Sequence, residues 1–111
     1  MPGRYPITPD GRYFVVGMTL WRCTNPNLSA DVRDKLVKRL MNARRTIAKA
    51  KRQGEPETLA RARRSVDRAK RALGERGRPW WTDGAPDFNR YKVTNTPYSD
   101  WFKALPGIKP L

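Results

Sequence analysis

The sequence predicts an α+β fold: an antiparallel two-helix hairpin packed at its base against a small N-terminal antiparallel β-hairpin or meander and an aromatic-rich C-terminal loop segment. Three observations predict it. Residues 29–74 carry two apolar stripes at helical spacing. Residues 12–23 are dense in aromatic and β-branched side chains. After Gly74 the texture changes to glycine, proline, aspartate and aromatics. At 111 residues the chain is expected to be one small domain, able to bury only a modest core. Its parts are a β-hairpin region over 1–28, a basic helical hairpin over 29–74, an aromatic loop segment over 75–105 and a loose tail over 106–111.

The opening Met1 to Thr8 leads into Pro9-Asp10-Gly11, where proline presets one dihedral and glycine accepts a positive one, a turn signature. Arg12-Tyr13-Phe14-Val15-Val16 then reads as a strand, because such side chains fit a pleated, half-buried surface. Gly17 breaks the run. Met18 to Cys23 resumes it, with Met18, Leu20 and Arg22 alternating against Thr19, Trp21 and Cys23, so a hairpin or three-strand meander is expected. Two or three strands are marginal alone, and the apolar base of the helices is the surface on which they are expected to pack.

Thr24 to Asn27 reads as a loop, and Leu28-Ser29 as a hydrophobic residue followed by an N-cap. The first helix is expected from about Ala30 to about Gln53, with Asp31 in its first turn complementing the dipole. Gly54 supplies the stop. Pro56 and Glu57 open the second helix, which ends at Gly74 after Leu73. Down the first helix the stripe is Leu36, Leu40, Ala43, Ile47 and Ala50; up the second it is Leu73, Ala69, Val66, Ala62 and Leu59. Paired across the turn, each couple of numbers sums to 109, the register of a hairpin. In four pairs a large residue meets an alanine, which lets the helices interdigitate closely. Val32, Val37 and Met41 widen the apolar face at the base, so a further layer is expected over them. The tip is charged and is expected to project as a basic finger, a helix of about 18 residues spanning about 27 Å.

Beyond Gly74, Trp80 to Tyr91 reads as an irregular, turn-rich segment. Ser99 or Thr96 is expected to cap one short helical turn that carries Trp101 and Phe102 and reaches Ala104.

Lysine and arginine number 24 against 10 acidic residues, a formal net charge of +14. From Ala30 to Arg78 there are 17 basic and 6 acidic residues, so this segment carries +11 of the +14. Such a concentration of like charge repels itself and is relieved by an anionic partner. The absence of histidine and the single Cys23 remove histidine-based triads, histidine or thiolate metal clusters and an internal disulfide from this chain. Cys23 is expected to be a buried structural thiol. No apolar run reaches membrane-spanning length and no N-terminal stretch reads as a secretory signal. A cytoplasmic protein without membrane insertion is expected.

The stretch from Ala43 to Arg52 is echoed nineteen residues later from Ala62 to Arg71. The basic positions coincide: Arg44, Arg45, Lys49, Lys51 and Arg52 match Arg63, Arg64, Arg68, Lys70 and Arg71. Each helix thus offers a comb of charge beside the stripe, and arginine's planar fork suits phosphate oxygens. These ten residues, with Trp80 and Trp81 as aromatics available for base stacking or for core packing, are the candidate nucleic-acid contacts. The expected function is non-enzymatic binding of DNA or RNA through the phosphate backbone, without cofactor or metal. A second reading is a small enzyme acting on nucleic acid or another phosphorylated substrate through Asp83, Asp87, Asn89, Arg90 and Tyr91, where two carboxylates would hold a metal ion and Arg90 would clamp phosphate. A third makes the basic finger a protein-interaction module for an acidic protein.

The segments Gly11 to Val16, Leu20 to Pro26, Trp80 to Arg90 and Asn95 to Trp101 resemble those of a family of short bacterial proteins. The resemblance covers most of the chain. It implies a bacterial, cytoplasmic setting and brings no activity, cofactor or catalytic residue with it.

Overall fold

A computed structural model describes residues 5–107. Residues 1–4 of the opening segment and 108–111 of the expected tail lie outside the described residues. The element order is β1 (Tyr13–Val16), β2 (Thr19–Arg22), α1 (Ala30–Gln53), α2 (Pro56–Ala72), a short 3₁₀ turn (Val93–Asn95) and α3 (Ser99–Lys103). Two compact units result, one drawn from Met1–Cys23 with Trp81–Leu111 and the other from Thr24–Trp80. The fold is α+β, with a two-stranded antiparallel sheet and a packed pair of helices.

In the first unit β1 and β2 pair with Tyr13 opposite Arg22 and Val16 opposite Thr19, leaving Gly17 and Met18 as a two-residue turn. Gly17 has φ +62°, which a tight hairpin needs at its first central position and which a side chain would strain. Among the described residues the sheet has two strands rather than three, and both edges of the ribbon are covered by bridges from Ile7 to Phe14 and from Lys92 to Thr19. Covering the edges satisfies main-chain groups that a bare hairpin would leave to water. One face, Tyr13, Val15, Leu20 and Arg22, is buried. Val93 and Phe102 complete the core, with Met18, Trp81, Phe88, Tyr98, Trp101 and Leu105 packed around it. Tyr13 meets Trp81 and Tyr98 edge-on at 5.7 and 5.6 Å, a favoured aromatic geometry. The N-cap of α3 is Tyr98 with no side-chain hydrogen bond, and not Ser99 or Thr96. Thr96 instead bonds Val93 and Tyr98, its hydroxyl donating to the Val93 carbonyl at 2.7 Å and accepting the Tyr98 N–H at 3.3 Å.

In the second unit α1 is capped by Ser29, whose Oγ accepts the Val32 N–H at 3.2 Å. It stops at Gly54, whose φ of +64° lets its N–H turn back to the carbonyls of Ala50 and Lys51. Proline at the start of α2 occupies a position whose N–H has no helical partner in any case. The helices bury the expected seam. In α1 every residue other than Leu36, Leu40, Ala43, Ile47 and Ala50 is exposed, and their five α2 counterparts are all buried or half-buried. Leu40, Ala69 and Leu73 form the base of this core, with Leu28, Leu36 and Val66 against it.

The wide apolar base expected on α1 is also corrected. Val32, Val37 and Met41 are exposed, at 44, 39 and 47%. Val37 and Met41 each follow a seam leucine by one residue, which turns them about 100° away from the partner helix. Val32 does lie on the seam side, one turn before Leu36. Its counterpart in the register would be residue 77, beyond the end of α2 at Ala72, so no helix faces it. No helix of the described residues is long and apolar enough to cross a membrane.

Candidate functional site

A groove of about 900 Å³ runs along one side of the helical hairpin. Its floor is seam: Leu36, Ala43, Ala62 and Ala69. Its walls are residues that each come immediately before a seam residue, Arg39, Asn42 and Thr46 from α1 and Thr58, Arg61, Ser65, Arg68 and Ala72 from α2, with Arg64 at the rim. Steps of three and four keep each set in one line beside the seam. Two hydroxyl–guanidinium couples repeat at seven residues along α2: Arg61 Nη2 donates to Thr58 Oγ1, and Arg68 Nη2 to Ser65 Oγ, both at 3.4 Å. At 1.5 Å rise per residue the couples lie about 10.5 Å apart. Across the groove Thr46 Oγ1 donates to the Asn42 carbonyl at 3.1 Å, and Asn42 Oδ1 accepts from Arg45. No carboxylate lines this groove, and among the described residues none pairs with Arg39, Arg61, Arg64 or Arg68.

The other flank of the seam, made of residues that follow seam positions, has a different chemistry. Val37, Met41, Arg44, Ala48 and Lys51 stand there on α1, and Ala60, Arg63, Asp67 and Lys70 on α2. Asp67 accepts from Arg71 at 2.8 Å and from Arg76 at 3.3 Å. Those bonds, Arg71's first, hold its carboxyl below the ordinary 3.8. Partial burial pulls the Lys70 ammonium below its ordinary 10.5, and the charges of Arg44 and Arg76 act in the same direction while Glu75 opposes them. Arg71 also folds over Gly77, where an added Cβ would lie 2.7 Å from its Nη1. Of the ten comb residues, Arg64 and Arg68 line the groove and Arg71 is committed to Asp67; Arg44, Arg45, Lys49, Lys51, Arg52 and Arg63 are exposed. Arg39 and Arg61 belong to the groove and fall outside the repeated comb. A signal for them existed in the polar stripes at 39, 42, 46 and at 58, 61, 65, 68, one step from the apolar stripe.

Adjacent tryptophans have separate jobs. Trp80, half-buried, packs on Gly74 at the end of α2, where an added Cβ would lie 3.0 Å from Trp80 Cδ1. Trp81 joins the first unit's core, donates its indole N–H to the Ala85 carbonyl at 2.9 Å, and carries the guanidinium carbons of Arg12 and Arg22 at 4.8 and 5.8 Å from its ring centre.

In the 83–91 segment, the carboxylates are tied to the first unit's own scaffold. Asp83 pairs with Arg12 and accepts the Ala85 N–H at 3.0 Å, and these bonds, Arg12's first, hold its carboxyl below the ordinary 3.8. Asp87 pairs at 2.6 Å with Arg22, whose side chain is 1% exposed, and accepts the Asn89 N–H at 2.9 Å. Asn89 in turn accepts the Arg22 backbone N–H at 2.9 Å. Arg90 is exposed at φ +73° and its N–H donates to the Leu20 carbonyl; Tyr91 is half-exposed with its ring edge-on to Phe88 at 5.5 Å. Among the described residues no group of three or more acidic, cysteine or histidine side chains converges to hold a metal ion. Cys23 is half-buried rather than fully buried, and its N–H donates to the Arg12 carbonyl at 2.8 Å.

Compared with known protein families, with curated proteins and with solved structures, the chain finds no match.

Proposed function

We propose that the protein binds nucleic acid without chemistry, through the cationic helical hairpin and chiefly by contact with the phosphate backbone. The observation that supports this is the row of guanidiniums, Arg39, Arg61, Arg64 and Arg68, held on rigid helices beside neutral hydrogen-bonding groups and free of carboxylate partners among the described residues. A surface helix normally offsets its cations with acids three or four residues away. Here the uncompensated charge costs self-repulsion that a polyanion relieves. Helical side chains of this kind recognise charge spacing and no base edge, so the binding is sequence-tolerant.

The test is fluorescence anisotropy of labelled oligonucleotides, single-stranded and duplex, titrated with protein across a salt series. Binding should weaken steeply, with log K falling about 0.7 to 0.9 per phosphate neutralised for each unit of log salt. No binding at low salt, or binding without a salt slope, refutes the proposal. So does polyglutamate that displaces the oligonucleotide as well as an unlabelled oligonucleotide of equal charge, the result expected of a module for acidic proteins.

A further inference from the structure

The two flanks of the helical seam are chemically unlike, and this asymmetry assigns a face and a form of nucleic acid. On the flank following the seam stand two exposed apolar side chains, Val37 and Met41, and the carboxylate of Asp67, which engages Arg71 and Arg76. That surface offers a polyanion a broken field. The flank preceding the seam is the groove. It holds arginines, hydroxyls and one amide above a floor of alanine and leucine, and it contains no acid.

Resting on the nucleic-acid reading above, we infer that the groove is the binding surface and that its occupant is a single strand lying along the hairpin. Helix axes that pack through alanine stand only about 8–10 Å apart, so the furrow between them admits one chain and not a duplex. A duplex backbone pressed into it would set ionised phosphates against Ala43, Ala62 and Ala69, and taking charge out of water onto apolar surface is costly. A single strand divides its chemistry as the groove does. Its phosphates reach the walls, where Arg61 with Thr58 and Arg68 with Ser65 present two alike donor sets. Its sugars and base faces rest on the apolar floor, within reach of guanidinium planes that stack on unpaired bases. The seven-residue repeat of the α2 couples makes the surface periodic, which suits an occupant that repeats as well. Arg39 supplies the facing charge from α1.

The experiment compares two triple variants of equal charge change. Arg39→Gln, Arg61→Gln and Arg68→Gln neutralise the groove; Arg44→Gln, Lys51→Gln and Arg63→Gln neutralise the opposite flank. All six side chains are exposed, so both proteins should keep the wild-type circular dichroism and melting, which are measured first. The probes are a labelled oligothymidylate and the same strand annealed to oligoadenylate. The groove triple should lose roughly tenfold or more in affinity for the single strand and about 2 units of salt slope, while the opposite triple stays within about threefold. The wild type should prefer the single strand to the duplex. Equal losses in the two triples, or tighter binding of the duplex, overturn this inference and leave nucleic-acid binding standing. A wild-type protein that binds neither probe overturns both.

Discussion

Arg22 is the side chain on which the first unit's stability turns. Alternation along β2 sends it to the same face as Leu20, into the core, with its side chain 1% exposed. There it meets Asp87 at 2.6 Å, while the Asp87 side chain keeps 35% of its exposure. Asp87→Ala takes a charged partner away from a guanidinium that cannot discharge at any accessible pH. Removing one partner of a buried pair costs about 3–5 kcal/mol, and because water reaches the carboxylate here the low end, about 3 kcal/mol, applies. Loss of the Asn89 N–H bond adds about 1 kcal/mol. The assay is urea unfolding followed by tryptophan fluorescence, since Trp81 lies against Arg22. Arg22→Met combined with Asp87→Ala removes the buried charge together with its partner and keeps most of the volume, and should be about 1–2 kcal/mol more stable than Asp87→Ala alone. Asp83→Ala, whose carboxylate is exposed, should cost visibly less than Asp87→Ala. A cost of less than about 1 kcal/mol for Asp87→Ala, or no recovery on adding Arg22→Met, would refute a stabilising role for the pair.

Ala62→Leu, at a seam position 5% exposed, should overpack the helices and lower stability by about 1–3 kcal/mol, whereas Ala60→Leu, exposed on the same helix, should be close to neutral; thermal melts read by circular dichroism decide. Burial pushes the Asp10 carboxyl up, but hydrogen bonds from Tyr98 at 2.6 Å, Thr8 at 2.7 Å and the Arg12 N–H at 3.1 Å outweigh it and leave it below 3.8. A depressed carboxyl stabilises the fold above its unfolded value of about 3.9 and loses that contribution as pH falls through the lower folded value. The urea midpoint should therefore drop below about pH 4, and Tyr98→Phe should shrink the drop; an unchanged acid limb in that variant would contradict this account. At the other end, burial and the bond to Asp10 push the Tyr98 phenol up, so its contribution is complete below about pH 10 and declines above it.

How much of this was legible follows the range of the interactions. The helical seam, its cap at Ser29 and its turn at Gly54 could be read because periodicity, capping and a positive φ are local properties. The same periodicity also held the polar stripes of the groove, which the repeated comb from 43 to 52 and 62 to 71 obscured. Strand alternation puts Arg22 on the face of Leu20, but its partner Asp87 lies 65 residues away and no spacing announces it. Asp83 and Asp87 looked like free carboxylates for the same reason, since Arg12 is 71 residues from Asp83. Apolar character alone suggests a covered face at Val37 and Met41, whereas the 100° step from the seam leucines turns both outward.

The sequence by itself determined the α+β class, two helices with the apolar seam they bury, and a net charge of +14. Those rest on side-chain periods and turn residues whose effect is complete within a few positions. Tertiary structure alone decided which arginines are occupied and which are available. Pairing Arg22 with Asp87, Arg12 with Asp83 and Arg71 with Asp67 commits their guanidiniums to the scaffold. Packing the helices through alanine opens the groove that Arg39, Arg61 and Arg68 line. A charge is equally visible in sequence whether neutralised or not. Only the distance to its nearest opposite, set by the fold, decides what it can bind.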